Sequence, residues 1–276
     1  MAASVLNQES CVVRATNKEK GRTRWLAPEK AAVTNLYYGR IILDSGDAPL
    51  EFSTGAHETG LICLNGRAAV EAAGKRFEMG RYDALYVPRD SAVEVAPSDA
   101  GCDLAEVSAP VTGQYPLQFV SFAGVRSDPT LHFIAGAPPT ERDLNILIGK
   151  NVTAGRIVVG VTFSKPGGWT SWPPHEHAAM LEEAYLYIDM PTPSWGLQLV
   201  YTDPQRPELV VAVREGDVVV MPAGYHPNVA APGGTIGFMW MMAANREVAD
   251  RQFGVVNVQP EYAERGSGLE AAHGKK

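Results

Sequence analysis

The sequence predicts an all-β protein built as two β-barrels in tandem, with few and short helices. Three observations predict it. The 276 residues include 27 glycines and 20 prolines, which is high for a helical chain and suits short strands joined by tight turns. Runs rich in β-branched and aromatic residues recur along the whole length. Two stretches also repeat. "GRYDALYVPRDSAVEVAP" from Gly80 and "EGDVVVMPAGYHPNVAAP" from Glu215 each place a proline five residues after an aspartate, Asp83 to Pro88 and Asp217 to Pro222.

Strands are expected at 40–44, 60–66, 68–79, 84–88 and 92–97. A second set falls at 156–163, 183–188, 196–203, 209–222, 228–232 and 235–242. "PPTERDLNILIGK" (138–150) reads as a turn or more of helix with Thr140 as N-cap. The stretch from about 99 to 150 is the connection between the halves. This divides the chain into an N-terminal degenerate barrel, 1–120, and a C-terminal metal-binding barrel, 121–276. Superposing the prolines sets Ala92 opposite His226, and aligning "HETGLICLNG" with "LEEAYLYID" sets Glu58 opposite Glu183. The histidines survive in the second copy.

A net charge of −7 argues against a sequence-independent nucleic-acid binder and suits a small soluble substrate. A homo-oligomer stays open. Cys11, Cys63 and Cys102 are odd in number and widely spaced, which implies reduced thiols. "MAASVLNQES" lacks the features of a signal peptide. The apolar run "IGFMWMMAA" (236–244) is far shorter than the roughly 20 residues a membrane span needs. The expectation is a soluble, cytoplasmic protein with no membrane partner.

The chemistry-bearing set is His175, His177, His226 and either Glu182 or Glu183. In an H-x-H pair on an extended segment both imidazoles point to one face, because side chains alternate with period two. A carboxylate and a distant histidine can close the set. Such a donor set suits a divalent metal, zinc foremost, with manganese, iron or nickel as alternatives. Strand phase favours Glu183, which runs on with Tyr185 and Tyr187. His57, His132 and His273 lack this context; His57 is read as lining the first barrel and His273 as a tail residue. Glu176 alternates away from the pair. Trp169 and Trp172 flank it and read as rim packing, with a platform for a sugar ring as the alternative. Tyr185 and Tyr225 are the candidate substrate contacts, each weighed against simple packing.

"GGWTSWPPHEH", "LEEAYLY" and "GDVVVMPAGYHP" resemble the two conserved motifs of the cupin barrel. Together with "YDALYVPRDSAVEV" and "LQLVYTD" they resemble the family of 5-deoxy-glucuronate isomerase and 5-keto-4-deoxyuronate isomerase, which are bicupin sugar-acid isomerases. The likeness runs from about Glu58 to Arg246. It implies a metal-dependent aldose–ketose isomerase. "VYTD" and "GYHP" lean toward 5-deoxy-glucuronate and inositol catabolism. The short spacer after His177, and Trp240, lean toward 5-keto-4-deoxyuronate and pectin catabolism. The general cupin spacing to His177 favours Glu182, whereas the family's order of residues after the glutamate matches Glu183. No catalytic base and no cation for the substrate carboxylate stands out. Two other classes are a metal-dependent dioxygenase and a non-catalytic sugar-binding module. No G-x-G-x-x-G follows a strand, so no nicotinamide or flavin is expected.

Overall fold

The structure, a computed structural model, describes residues 6–266. His273 and the first five residues of the N-terminal segment lie outside the described residues. Among the described residues the regular secondary structure is almost entirely strand. Two short α-helices, Gln8–Cys11 and Phe122–Ser127, and a 3-10 segment, Pro260–Arg265, are the exceptions. No helix among the described residues is long and apolar enough to cross a membrane. The three cysteines are buried and unpaired, and burial pushes the Cys63 thiol up to about 12.

The N-terminal half forms one eight-stranded sheet. Its spine is the antiparallel pair His57–Ala72 and Ala92–Pro110, flanked by Tyr37–Leu43 and Ala84–Val87. The pairing of the two long strands shifts between Cys63 and Asn65 and again between Gly66 and Ala68. Such shifts bend a strand, so one pair can serve both walls of a closed sheet. The interior is filled with Ile41, Leu61, Leu85, Val95 and Leu104, all fully buried, and offers no ligand cluster.

In the C-terminal half a seven-stranded sheet faces a four-stranded one. The first runs in the order Val12–Val13, Val218–Met221, Leu181–Ile188, Gly237–Ala244, Ile157–Ser164, Arg142–Ile148 and His132–Ala135. The second comprises Trp169–Thr170, Asn228–Ala230, Gly196–Val200 and Leu209–Val213. The Tyr187 hydroxyl crosses between them to Gln198 Oε1 at 2.5 Å.

The repeat is visible bond for bond. The Asp83 carboxylate accepts from the Gly80 and Phe122 N–H groups, and the Asp217 carboxylate from those of Arg214 and Ala15. Each aspartate thus closes the turn before its own strand and pins an incoming segment. Those segments are equivalent edge strands: Gln118–Val120 on Ala84–Val87, and Val12–Val13 on Val218–Met221. The start of the chain therefore completes the C-terminal half's sheet.

The register corrects the repeat alignment by one residue. Thr59 faces Val87 as Glu183 faces Met221, so Thr59 stands opposite Glu183 and Glu58 opposite Glu182. Both of these glutamates reach into the other half. Glu58 accepts from the N–H groups of Gly155, Arg156 and Ile157 at 2.6–2.7 Å. Glu182 accepts from those of Thr34, Asn35 and Leu36 at 2.7–2.9 Å. Two reciprocal clasps tie the halves together, each satisfying three consecutive backbone donors at the start of a strand.

The helix expected in 138–150 is absent. Arg142–Ile148 is a strand between Ile157–Ser164 and His132–Ala135, because tertiary pairing outweighs a local N-cap signal. The helix in this region is Phe122–Ser127, capped by the Ser121 side chain.

Candidate metal centre

Four elements deliver the candidate ligands. His175 opens the two-residue strand His175–Glu176, which pairs with Asn257–Val258. His177 follows, and its carbonyl accepts from the N–H groups of Met180 and Leu181, turning the chain into strand Leu181–Ile188. Glu183 is the third residue of that strand, held between Val218–Met221 and Gly237–Ala244. His226 lies just ahead of Asn228–Ala230. The four side chains sit in residues only 2–7 % exposed.

Each imidazole is oriented through its Nδ1. His175 Nδ1 lies 2.8 Å from the Pro173 carbonyl oxygen, His177 Nδ1 3.1 Å from that of Leu181, and His226 Nδ1 2.9 Å from that of Gly224. A carbonyl can only accept, so Nδ1 carries a proton, and in a neutral ring Nε2 then presents the lone pair. One donor atom from each of the three rings lies within 4.8 Å of the others. Glu183 Oε2 is 3.0 Å from both His177 Nε2 and His226 Nε2. The buried His226 Nε2 makes no hydrogen bond.

The electrostatics match a cation site. Burial alone would raise the Glu183 carboxyl, but His177 and His226 beside it bring it down to about 2. Burial works against a proton on His177, yet the Glu183 carboxylate lifts that ring above its usual 6.5. Burial, followed by the neighbouring His226 and His177, drops His175 to about 3. Three imidazole nitrogens fixed by outer carbonyls, one ionised carboxylate and an orphaned Nε2 fit a first-row divalent metal.

The other sequence candidates separate clearly. Glu182 points away, into its clasp on Thr34–Leu36. Glu176 turns outward and accepts from Ala178 N–H and Asn257 Nδ2. Tyr185 lines the cavity above the histidines, with its hydroxyl 2.7 Å from Ser171 Oγ. Burial holds that phenol well above its usual range. Tyr225 instead packs against Tyr201 at 5.7 Å and is not among the cavity-lining residues. Trp169 and Trp172 pack together at 5.3 Å, and Trp172 meets Tyr262. His57 packs edge-on against Tyr37, and His132 lies 3.2 Å from Asp143.

A water-sized molecule can reach about 40 Å³ of the cavity. Trp240 forms part of its wall, donating from Nε1 to Thr162 Oγ1 and stacking on Phe253. Gly160 permits this, because a Cβ there would fall 2.1 Å from the Trp240 ring. Two features escaped the sequence reading. One is the segment Phe253–Val256, which borders the cavity before Asn257–Val258 pairs with the H-x-H strand. The other is Arg142, 2 % exposed and on the cavity wall. The signal for Arg142 was the period-two alternation with Leu144, which lines the same cavity.

Known proteins resemble this arrangement. The KduI/IolB family profile matches residues 11–258. The 5-deoxy-glucuronate isomerase of Geobacillus thermodenitrificans (strain NG80-2) is 30% identical over 232 residues, covering 78% of this chain and 82% of its own. That of Shouchella clausii (strain KSM-K16) is 27% identical over 248 residues, 83% of this chain and 85% of its own. The crystal structure of an IolB-like protein from Salmonella typhimurium LT2 superposes with a TM-score of 0.82 at 24% identity, covering 92% of this chain and 98% of that one. A cupin 2 conserved barrel domain protein from Leptotrichia buccalis gives 0.51 at 14% identity, covering 86% and 91%. A Bacillus subtilis oxalate decarboxylase mutant gives 0.64 at 13%, covering 88% and 77%. These structures show a cupin fold, and with the profile spanning nearly the whole chain, the protein belongs to the KduI/IolB family.

Proposed function

We propose that the protein is a metal-dependent aldose–ketose isomerase of a sugar acid, with 5-deoxy-glucuronate as substrate and zinc as the metal. The observation that carries this reading is the convergence of His175, His177, His226 and Glu183 on one another, beside a cavity whose wall includes His175, His177 and Glu183, in a chain whose relatives are named 5-deoxy-glucuronate isomerase. These four residues would hold the metal. When bound, it supplies a Lewis acid for a carbonyl and its neighbouring hydroxyl.

The chain's own groups do the rest. The carbonyls of Pro173, Leu181 and Gly224 keep the rings in one tautomer and one orientation. Tyr185 keeps its proton, because burial disfavours the phenolate. It therefore serves as a hydrogen-bond donor to a substrate oxygen, steadied by Ser171. Leu144, Phe238, Met242 and Phe253 make an apolar wall that excludes water and strengthens each polar contact inside.

The test is an isomerase assay on 5-deoxy-glucuronate and on 5-keto-4-deoxyuronate, with oxygen consumption followed in parallel. The expected result is isomerisation of the first without added nicotinamide, flavin or oxygen, lost on chelation and restored by one divalent metal. Oxygen consumption with iron, and isomerisation of neither acid, would replace this reading with a dioxygenase.

A further inference from the structure

We infer that Arg142 binds the carboxylate of the acidic substrate, so that the substrate lies with its acid end at Arg142 and its reacting carbons at the histidine cluster; this rests on the sugar-acid reading above. Among the described residues that line the cavity, Arg142 is the sole arginine or lysine. It stands on the wall shared with His175, His177, Glu183 and Tyr185.

The guanidinium is built into place. Arg142 opens a strand whose backbone is held by Ala135 on one side and Ser164 on the other. Its Nη1 donates to the Thr140 carbonyl at 3.2 Å. The turn through Gly136 closes over it: a Cβ there would come 3.0 Å from Nη1 and 2.7 Å from the Thr140 carbonyl oxygen, at a φ of +74°. A guanidinium does not give up its charge when buried. A fixed cation on the wall of a largely apolar cavity favours an anion there, and its planar fork matches a carboxylate in two parallel hydrogen bonds.

This orientation has a chemical consequence. A uronate carries its carboxylate at the opposite end of the carbon chain from its aldehyde. Holding the acid at Arg142 selects which end meets Glu183 and the histidines. A neutral aldose of the same size would lack that hold and would bind in either direction.

The experiment measures equilibrium binding of 5-deoxy-glucuronate and of its neutral C6 alcohol to the metal-loaded protein, Arg142→Met and Arg142→Lys, with metal content and turnover recorded on the same samples. Arg142→Met should weaken the acid about 30-fold and leave the alcohol within about twofold, at unchanged metal content. Arg142→Lys keeps the charge without the fork and should weaken the acid alone, about 10-fold. It also serves where the methionine variant does not fold. Acid binding as tight in both variants as in the wild type, or equal weakening of acid and alcohol, would overturn the assignment, as would a wild type that does not prefer the acid. Arg142-dependent acid binding without turnover would uphold Arg142 while sinking the isomerase reading.

Discussion

Glu182 and Glu183 are neighbours in the chain, and their carboxylates serve opposite sides of one strand. Glu183 turns inward, 3.0 Å from His177 Nε2 and His226 Nε2. Glu182 turns outward and caps the amides of Thr34, Asn35 and Leu36 in the other half. Period-two alternation gives the pair two unrelated tasks. Glu183→Gln should abolish stoichiometric metal, and it also removes the carboxylate that pairs with His177 in the metal-free protein. Glu182→Gln should keep the metal and lose about 2–4 kcal/mol of stability, because a charged acceptor of three N–H groups becomes a neutral one. Metal analysis and urea unfolding of the two variants separate the tasks; loss of metal in Glu182→Gln alone would reverse them.

The same argument applies to the symmetry-related clasp. Glu58 is fully buried and also accepts from the Tyr86 hydroxyl at 2.6 Å. Glu58→Gln should destabilise at least as much as Glu182→Gln, again with the metal retained. A change of under about 0.5 kcal/mol would show that the clasp is not an important tie between the halves.

Replacing His226 by Ala should remove the metal and leave the barrel folded. The surrounding strands are paired through their backbones, independently of the ring. Full metal retention with an unchanged far-ultraviolet circular dichroism spectrum would contradict its place among the ligands.

Metal affinity should fall with pH. In the metal-free protein His177 sits above its usual 6.5 because of Glu183, so it keeps a proton that the metal must displace. The sign follows: His177's contribution to metal-free stability is complete below pH 6.5 and is lost as pH rises through its folded value. Glu183 contributes the other way, from above 4.5 down to its folded value of about 2. The rise in melting temperature on adding zinc should therefore be larger at pH 8 than at pH 6. An equal rise at both would show that no proton is displaced.

Tyr185→Phe should retain the metal and lower kcat about tenfold, since it removes a donor to the substrate and leaves the ring's packing against Phe238. Tyr225→Phe should change kcat by less than about twofold, because that ring packs on Tyr201 away from the cavity wall. Comparable losses in both would give Tyr225 a substrate contact.

Much of this was legible in the sequence because it is local. The strand runs, the two Asp-to-Pro turns and the H-x-H pair follow from period-two alternation and turn chemistry. The illegible parts depend on partners far away in the chain. Glu58 was aligned one residue out because two adjacent acidic positions read alike until the sheet register places Thr59 opposite Glu183. Arg142 falls in a segment that reads as helix because Thr140 and Glu141 imitate a helix start. Its strand is imposed by His132–Ala135 and Ile157–Ser164 on either side. The pairing of Asn257–Val258 with His175–Glu176 has no mark in so short a segment.

The most direct measurement is a zinc titration of metal-stripped protein, with the rate of 5-deoxy-glucuronate isomerisation read at each addition. The expected result is no turnover without metal and a linear rise that breaks at one equivalent, abolished by Glu183→Gln and His226→Ala. Full turnover in the stripped protein, or a normal titration in either variant, would contradict a catalytic metal held by His175, His177, His226 and Glu183.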